Sequence, residues 1–340
     1  MSNVQISMAD RSDADQWDRL VRSCSTGTPY HLFSWEGVYQ KVGQPFYLVA
    51  KKKNCIVGVL PMVKVVDNGI RKLLSLPQGV GGSCISEDIE DKTGVADALF
   101  LAAKHEASKT GCHQMELKAD ACQADLYMDW RQIRFALGYV IHVGDGWESV
   151  WQGAFNKKAR KNVKHAIKAG CESQIFHGKA ITEEILDQFY DMHKAVSKRH
   201  NQDVITRSTF GGIRTVLGDM SHMCMTYYDG LPVAARFFLA DAETGIVSMY
   251  MGASKSEYWK HKPNDLGYAD TIRWAAENGY RWVDMGLSPY PSETSGHADF
   301  KRRWGGKEYK VDLFQYDLKP LSLIARSISR KLGIMSKRAT

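Results

Sequence analysis

The sequence predicts an α/β protein of two tandem units, each with a mixed, mostly antiparallel sheet flanked by helices. One series of helix and strand signals occurs twice, about 170 residues apart. Segments 111–117 and 279–285 share their spacing, because in both a helix-ending glycine precedes an acidic strand residue by five positions. The Asp229-Gly230 pair between two apolar runs is the strongest short-range signal for a β-hairpin.

The composition is that of an ordinary globular protein, with 340 residues, 44% hydrophobic and 24% charged. We expect a cytoplasmic protein, because no N-terminal apolar stretch follows the start and no run approaches the roughly 18 apolar residues of a membrane span. Seven cysteines stand singly without a C-x-x-C pair, and eleven histidines follow no metal-ligand spacing. Neither a disulfide framework nor a metal site is therefore predicted. The net charge of +7 suggests a polyanionic partner without establishing one.

The first unit is predicted to begin with a helix and to continue into a hairpin. Trp17, Leu20 and Val21 recur at helical spacing, and two apolar, β-rich runs around a short polar stretch indicate the hairpin. In order, the predicted elements are a helix over 13–24, strands over 46–50, 55–65 and 72–76, a glycine-rich loop over 78–83, a helix over 92–110 and a strand from 115.

The second unit repeats this order. The predicted elements are helices over 185–196 and 209–217, strands over 223–228, 233–240 and 246–251, a loop over 252–264, a helix over 265–278 and a strand over 280–285. The repetition places a boundary near 145–155. We therefore assign residues 1–150 to the first unit, 151–318 to the second and 319–340 to a basic amphipathic tail.

The segment 282–306 combines a strand end, a polar loop and a basic aromatic motif. Apolar and polar residues alternate up to Met285, as in a half-buried strand, and Gly286 ends the pattern, so Asp284 lies where a strand opens into a loop. Residues 300–304 then place three cations between two large aromatic side chains, beside a glycine pair that allows close backbone approach. We expect the chemistry to centre on this segment.

The same segment resembles the C-terminal signature of the FemAB-like acyltransferases, a branch of the acetyltransferase (GNAT) superfamily. That signature is D-x-G-x-S followed by F-K-x-x-W-G, and it is matched by Asp284, Gly286, Ser288, Phe300, Lys301, Trp304 and Gly305. Residues 156–170 resemble the second family signature, K-x-R-x-x-I-x-x-A-x-x-x-G. The aromatic segment 30–35 is similar to the start of the family's second helix, although its composition also suits a core-facing turn. The resemblance covers about residues 15–317 and implies two GNAT-like units side by side.

The resemblance implies roles in acyl transfer for residues of this signature. A cation at the position of Lys301 would stabilise the oxyanion that develops on the reacting carbonyl, and the alternative is a surface lysine in a basic run. Asp284 is a candidate base for the attacking amine or hydroxyl, and the alternative is a structural acceptor of backbone N–H groups. Tyr250 and Tyr290 are candidates to line the acyl channel or donate a proton, and otherwise pack in the core. Trp304 completes the predicted set as a substrate-binding residue.

The basic segment 157–168 has two interpretations. One is a solvated helix with a thin apolar seam, and the other is a phosphate clamp, because arginine binds phosphate oxygens through two N–H groups and a helix N-terminus adds its dipole. The resemblance implies that this element contacts the diphosphate of a nucleotide- or lipid-linked sugar acceptor. Arg160 is the main candidate for that contact, followed by Lys158 and Lys164.

No tightly bound cofactor is predicted, and the donor is either aminoacyl-tRNA or acyl-CoA. The loop 78–83 mimics the Q-x-x-G-x-G/A loop that acetyltransferases use for coenzyme A, but Ser83 occupies its last position. The corresponding loop of the second unit, 254–264, has no glycine pattern. Family members without the loop take aminoacyl-tRNA, which makes tRNA a candidate partner.

The predicted function is transfer of an aminoacyl or acyl group to an amine or hydroxyl of a sugar-containing cell-envelope or exopolysaccharide precursor. Two alternatives stay open. One is a coenzyme A-dependent N-acetyltransferase that acts on a small amine. The other is a non-catalytic RNA- or polyanion-binding protein that uses the basic helix and the aromatic-cation motif.

The tail 319–340 lies outside the repeat and has the pattern of a basic amphipathic helix. Its apolar side consists of Leu321, Ile324, Ala325, Ile328, Leu332 and Met335, and its cations are Arg326, Arg330, Lys331, Lys337 and Arg338. The tail either docks on the protein's own core or lies on the anionic inner surface of a membrane. The second placement would suit a lipid-linked acceptor.

Overall fold

The computed structural model describes residues 4–289 and 296–319, which fall into two compact units. The first unit consists of the described parts of Met1–Phe33, Val42–Arg134 and Asp312–Thr340, and the second of those in Ser34–Lys41 and Phe135–Val311. Tyr290 and residues 320–340, which include nearly all of the predicted tail, lie outside the described residues.

Strands and helices follow one another along the chain. The strands are β1 (Gln5–Met8), β2 (Gln44–Lys52), β3 (Cys55–Asp67), β4 (Ile70–Ser75), β5 (Cys84–Ile85), β6 (Gln114–Asp120), β7 (Arg131–His142), β8 (Cys171–His177), β9 (Ser221–Tyr228), β10 (Leu231–Asp241), β11 (Ile246–Ser254), β12 (Trp282–Pro289) and β13 (Lys307–Asp317). The helices are α1 (Ala14–Ser23), α2 (Glu36–Tyr39), α3 (Lys92–Lys109), α4 (Trp147–Ser149), α5 (Lys157–Lys168), α6 (Glu183–His200), α7 (Arg207–Leu217), α8 (Pro263–Glu277) and α9 (Gly296–Arg302).

In the first unit the strand order is β1-β2-β3-β4-β6-β13, with β5 paired to β3. β2 and β3 form the predicted hairpin, and its turn residues Lys53 and Asn54 both have positive φ, as a two-residue turn that follows the twist of the strands requires. Along α3, Val95, Leu99 and Ala103 are buried at helical spacing. They pack into one core with side chains of the sheet.

In the second unit the strand order is β13-β7-β12-β11-β10-β9-β8. β9 and β10 form the second predicted hairpin, and Asp229 and Gly230 at its turn both have positive φ. The strands β11 and β12 are parallel neighbours, and α8 connects them along the chain. Leu266 and Ile272 of α8 are buried in the same core as Val283 of β12.

The predicted fold class is confirmed, and the repetition is visible in the connections. β4 and β6 are parallel neighbours joined through α3, as β11 and β12 are joined through α8. Gly111 and Gly279 have positive φ directly after these helices, which explains their shared spacing, because each lets the chain leave the helix for the strand. β7 and β13 each contribute residues to both compact units. The division into 1–150, 151–318 and 319–340 stays a prediction that follows chain order.

The segment 30–35 forms 3-10 turns, Pro29–His31 and Phe33–Trp35, followed by the four-residue α2. Proline favours the start of the first turn, and His31 Nδ1 accepts a hydrogen bond from the Thr28 backbone N–H at 3.2 Å, which closes that turn. The sequence pattern also does not predict β1, β7 or β8. Their side chains are partly exposed, so no clean alternation of apolar residues marks them.

Two further features concern what the described part of the chain lacks. Within residues 4–289 and 296–319, no helix is both long and apolar enough to cross a membrane. Over the same residues, no group of three His, Cys, Asp or Glu side chains is arranged to hold a metal ion.

Candidate functional site

The candidate site lies in the second unit, where two neighbouring parallel strands separate. β11 and β12 pair at only three positions, 246–248 with 282–284. Beyond that point β11 continues to Ser254 and β12 to Pro289 without pairing to each other. The facing edges of the two strands do not bond to one another on the C-terminal side of Asp284, and we call the region between these unpaired edges the gap.

Both strands are irregular at the start of this gap. In β11, Tyr250 is an extra residue opposite the step from Phe237 to Phe238 in β10. In β12, the register against β7 shifts between Asp284 and Leu287. Bulges end strand pairing and re-aim side chains, so the two irregularities account for the separation of the strands.

The side chain of Lys301 enters this region from α9. It is 6% exposed, and its Nζ donates hydrogen bonds to the backbone carbonyls of Gly286 and Leu287, both at 2.8 Å. Burial lowers the pKa of Lys301 to about 8, while the nearby Asp284 carboxylate acts in the opposite direction. Two of the three N–H bonds of the ammonium are therefore used by the protein, and the third has no partner within residues 4–289 and 296–319.

Asp284 lies at the point where the strands separate, and both of its oxygens accept hydrogen bonds. The Gly286 backbone N–H donates to Oδ1 at 2.8 Å, and the Tyr309 hydroxyl donates to Oδ2 at 3.0 Å. Burial raises the pKa of the Asp284 carboxyl above its ordinary value, and the two hydrogen bonds and Lys301 partly oppose this. The geometry suits both interpretations of Asp284, as a base and as a structural acceptor.

Gly286 has to be glycine for Lys301 and Asp284 to meet in this way. Its φ is +75°, and a Cβ on it would lie 2.9 Å from the Met249 carbonyl oxygen of β11. A side chain would therefore be strained and would also push β12 away from β11. The turn at Gly286 directs one carbonyl to Lys301 and one N–H to Asp284.

Trp304 is fully buried behind Lys301. Its ring is stacked on Tyr268 of α8, with a centroid distance of 5.6 Å, and meets Phe155 edge-on at 4.8 Å. Large aromatic side chains packed in this way fix the elements that carry them. Trp304 thus holds the C-terminal end of α9, and with it Lys301, while direct contact between Trp304 and a substrate stays a prediction.

Of the two predicted tyrosines, only Tyr250 lies within the described residues. Tyr250 is half-buried in an aromatic cluster with Trp35, Phe210 and Phe237, at centroid distances of 6.2 to 6.3 Å. Burial raises the pKa of its hydroxyl. Its contacts match the alternative of core packing, although it also lies in the bulge that opens the gap. Tyr290 lies outside the described residues.

The predicted basic helix is α5, and its Asn156 cap accepts a hydrogen bond from the Ala159 N–H at 2.9 Å. Arg160 turns back on the chain before the helix, where its Nη1 donates to the carbonyls of Trp151, Gln152 and Phe155. The Nη1 of this guanidinium therefore bonds the protein's own backbone, and a phosphate would bind the other two nitrogens. Lys158 and Lys164 are exposed.

The glycine-rich loop 78–83 uses its N–H groups within the first unit. Those of Gly81, Gly82 and Ser83 donate to the Lys118 carbonyl, the Ser75 hydroxyl and the Tyr127 hydroxyl, respectively. A loop that binds phosphate presents free N–H groups. The structural interpretation of these glycines is therefore the better one.

Sequence reasoning missed two parts of the site. Arg236, in the middle of β10, is 7% exposed, and its guanidinium lies 3.3 Å from the ring centroid of Tyr268. The sequence does contain a signal for Arg236, because it is a single cation within the apolar run 233–240. An arginine is almost never fully buried unless it has a partner. The hydroxyl of Ser288 is fully buried and has no hydrogen-bond partner among the described residues. Ser288 was noted only as a signature position.

Comparisons with known proteins identify a domain within the second unit and the fold of the chain. Residues 157–302, which contain the gap and Lys301, match the model of the acetyltransferase (GNAT) domain. Among solved structures, the chain is similar to FemX, with 14% identity and a TM-score of 0.72 over 94% of this chain and 99% of that one. No protein of curated function matches the sequence.

Two further solved structures have the same fold over nearly their whole length. One is a tandem GNAT protein from the clavulanic acid biosynthesis pathway, with 10% identity and a TM-score of 0.64 over 93% of this chain and 98% of that one. The other is the C-terminal domain (DUF2156) of a protein described as lysylphosphatidylglycerol synthetase from Agrobacterium fabrum, with 11% identity and a TM-score of 0.62 over 94% and 98%. At sequence identities of 10% to 14%, the similarity to these structures shows a shared fold.

A GNAT domain takes its acyl group from a donor that is a substrate and not a resident cofactor. The domain match includes the candidate site, and the similarities to FemX and to the tandem GNAT protein cover 94% and 93% of the chain. Residues 157–302 are therefore identified as an acetyltransferase (GNAT) domain, and the chain has the fold of FemX and of the tandem GNAT protein.

Proposed function

We propose that the chain transfers an aminoacyl or acyl group to an amine or hydroxyl of a sugar-containing cell-envelope or exopolysaccharide precursor. The observation that carries this proposal is the buried ammonium of Lys301 beside the gap between β11 and β12. Acyl transfer is favoured by a donor carbonyl held next to a fixed hydrogen-bond donor or positive group, together with space for the attacking nucleophile. The gap and Lys301 support both requirements within one unit.

Lys301 is proposed as the donor of a hydrogen bond to the oxyanion. In the proposed reaction, the lone pair of the nucleophile attacks the acyl carbon and the carbonyl electrons move to oxygen. The Gly286 and Leu287 carbonyls hold two N–H bonds of Lys301, so the third donates to that oxygen. In a buried site such a charge acts more strongly than in water. When the oxyanion collapses, the thiolate or ribose oxygen of the donor leaves and takes up a proton.

Asp284 is proposed as the group that receives the proton of the attacking nucleophile. Burial raises the pKa of its carboxyl, which moves the group towards the range in which a base is effective at neutral pH. The hydrogen bonds from Gly286 and Tyr309 fix its orientation and leave further lone pairs on its oxygens.

The start of α8 bears on the choice of donor. GNAT acyltransferases use acyl-CoA as a substrate, and a diphosphate is best placed at a helix N-terminus. Here α8 begins with Pro263 and carries the buried Asp265 two residues later, bonded to Asn162 at 2.9 Å and 4.0 Å from Arg303. Asp265 reduces the positive potential of this helix N-terminus, so the site suits a diphosphate less well than a helix N-terminus without an acid. We therefore favour aminoacyl-tRNA as donor over acyl-CoA.

The acceptor is proposed to bind through its phosphates. The exposed Lys158 and Lys164 and the free nitrogens of Arg160 lie on α5, and arginine and lysine both bind phosphate. The similar domain from Agrobacterium fabrum comes from a protein that is named as a lysylphosphatidylglycerol synthetase, and the name belongs to that protein. It motivates including phosphatidylglycerol among the acceptors tested here. We place the reaction in the cytoplasm, where such precursors and tRNA are both accessible.

A screen of donors and acceptors tests the proposal. The full chain is incubated with radiolabelled acetyl-CoA or a mixture of charged tRNAs, and with nucleotide-linked sugars, lipid-linked sugars, phosphatidylglycerol vesicles or small amines. We expect label to pass from charged tRNA to a sugar-containing acceptor. Transfer only from acetyl-CoA to a small amine would replace the proposal with the N-acetyltransferase. Salt-sensitive RNA binding without transfer to any acceptor would support the polyanion-binding alternative.

A further inference from the structure

Tyr309 reaches Asp284 across an intervening strand. In the sheet of the second unit, β7 lies between β13, which carries Tyr309, and β12, which carries Asp284. A Cβ on Gly138 of β7 would come within 2.0 to 2.5 Å of three ring carbons of Tyr309, and the nearest of them is the carbon that bears the hydroxyl. The ring therefore lies directly over Gly138, and its hydroxyl donates to Asp284 Oδ2 at 3.0 Å on the far side.

Gly138 is an unfavourable residue for its position unless the tyrosine explains it. It is buried in the interior of β7 and pairs with Leu287 of β12. Glycine weakens the interior of a strand, because it loses more conformational freedom on folding than other residues and has no side chain to pack. It often marks a place that another group approaches closely. Any larger residue here would displace the ring of Tyr309, so the glycine and the tyrosine form one arrangement.

The Asp284 carboxylate needs hydrogen-bond donors because it is buried. Burial raises the pKa of its carboxyl, and the groups that oppose this are the Gly286 N–H, the Tyr309 hydroxyl and the ammonium of Lys301 on α9. The residues paired with Asp284 on β7 and β11 are uncharged. The Gly286 donor belongs to the backbone of the turn itself, whereas the Tyr309 donor depends on one side chain brought from β13.

We propose that Tyr309 is a positioning residue of the transfer reaction and that Gly138 permits its approach: the hydroxyl holds the Asp284 carboxylate ionised and in one orientation, ready to accept a proton. This rests on the proposed function, in which Asp284 is the base. As the nucleophile bonds to the acyl carbon, its N–H or O–H proton moves to a free lone pair of Asp284. Tyr309 keeps its own proton throughout.

The charge state of Asp284 is measured without any substrate. The full chain is labelled with ¹³C at the aspartate carboxyl carbons, the Asp284 signal is identified by its loss in Asp284→Asn, and its chemical shift is followed from pH 4 to 9. Tyr309→Phe removes a hydrogen bond to the charged form, so the midpoint should rise by roughly one pH unit. Gly138→Ala should cause a similar rise, because its Cβ displaces the ring. Adding Gly138→Ala to Tyr309→Phe should cause no further rise.

Two variants serve as matched controls. Tyr316→Phe removes a hydroxyl from the same strand, β13, and Gly153→Ala adds a Cβ where nothing lies within 4 Å. Both should leave the midpoint of Asp284 at its wild-type value. The same Asp284 titration in wild type and Tyr309→Phe would overturn the proposal, and so would a rise that Tyr316→Phe reproduces.

The pH profile of kcat, measured with the substrates that the screen identifies, tests the role in transfer. The ionised form of Asp284 is the active one, so kcat should rise as pH rises through the pKa of Asp284. Tyr309→Phe should move this limb to higher pH by the amount found in the titration, while the decline through the pKa of Lys301, about 8, stays in place. A lower rate without displacement of the rising limb would overturn the positioning role, because loss of a merely structural contact lowers the rate alike at every pH.

Failure of this inference can be distinguished from failure of the proposed function. If no donor and acceptor pair gives transfer, the proposed function fails. The carboxyl titration still decides whether Tyr309 and Gly138 hold Asp284 ionised, because it uses the chain alone.

Discussion

At the scale of single residues, the site depends on a lysine that is buried and still charged at neutral pH. Burial lowers the pKa of Lys301 to about 8, and the two carbonyls that bind its ammonium leave one N–H for a substrate oxygen. A surface lysine would keep its full charge but would act through water, where a charge stabilises an oxyanion far less.

The pH dependence of transfer follows from this pKa. Protonated Lys301 is the active form in the account given above, so kcat should fall as pH rises through about 8. Lys301→Arg keeps its charge to a far higher pH, and its profile should lose this decline even if its rate is lower. The measurement is kcat from pH 6 to 10, with the exposed Lys310→Arg as control. A wild-type profile that stays flat to pH 10, or the same decline in Lys301→Arg, would contradict the role of Lys301.

The signature in the sequence was enough to predict that Lys301 and Asp284 act at one place, and the structure brings them together. Arg236 was not predictable in the same way. A cation within an apolar strand pattern does not reveal whether its side chain is paired, stacked or facing a ligand. Only the packing of Tyr268 and Gly252 around Arg236 distinguishes these cases.

At the scale of elements, the gap depends on the turn in β12 at Gly286. Gly286→Ala should lower the free energy of unfolding by about 1–3 kcal/mol, because φ is positive and the new Cβ meets the Met249 carbonyl. It should also abolish most transfer, since the turn orients both Lys301 and Asp284.

Gly279→Ala is a matched control for this variant. Gly279 also has positive φ, +80°, but nothing lies within 4 Å of its Cβ position. Denaturant unfolding should therefore show a loss of about 1 kcal/mol, with transfer rates close to wild type. Equal transfer by the two variants would show that the turn at Gly286 has no particular part in the site.

On the basic helix α5, Arg160 stabilises the fold, whereas the exposed Lys158 and Lys164 are proposed to bind the acceptor. Arg160→Ala should destabilise the unit by about 1–3 kcal/mol, because three carbonyls lose their donor. The double variant Lys158→Ala, Lys164→Ala should keep the stability of wild type and weaken binding of a nucleotide-diphosphate sugar. Thermal unfolding and calorimetric titration measure the two effects. Unchanged affinity in the double variant would favour the solvated-helix interpretation.

Elements with a clear pattern were predictable, and elements shaped by neighbours were not. Both hairpins and α3, α5 and α8 follow from turn residues and apolar spacing. β7 begins with four exposed residues, so its place beside β12 is set by pairing that no local pattern reports. The bulge at Tyr250 likewise depends on the register of β10 against β11.

At the scale of the whole molecule, the tandem organisation was predictable because each unit carries the same helix, glycine and strand series. The sequence did not predict that β7 and β13 contribute residues to both compact units, because this depends on pairing between segments far apart in the chain. The boundaries between the compact units fall after Arg134, within β7, and after Val311, within β13. The sequence shows no linker at either position.

The tail offers a prediction about the full chain. The described residues end with Leu318 and Lys319, whose N–H groups both donate to the His113 carbonyl. The predicted basic amphipathic tail should bind vesicles that contain phosphatidylglycerol at low salt, with each cation adding about 1 kcal/mol near the surface. Truncation after Lys319 keeps the bonds to His113 and should abolish this binding without changing the unfolding temperature.

Vesicle sedimentation with pure phosphatidylcholine as control checks that prediction. Absence of binding by the full chain at low salt, or unfolding of the truncated chain, would show that the tail belongs to the core. The membrane interpretation would then be excluded.

The most direct test of the account is the single-turnover rate of acyl transfer by Lys301→Ala, measured with the donor and acceptor that the screen identifies. The account predicts a loss of about 10²- to 10³-fold in the rate of the chemical step, with the chain still folded and donor affinity unchanged, although the Gly286 and Leu287 carbonyls lose their donor. Lys310→Ala, an exposed lysine nearby in the chain, should match wild type. A rate for Lys301→Ala equal to that of Lys310→Ala would contradict the central claim that the buried ammonium stabilises the oxyanion.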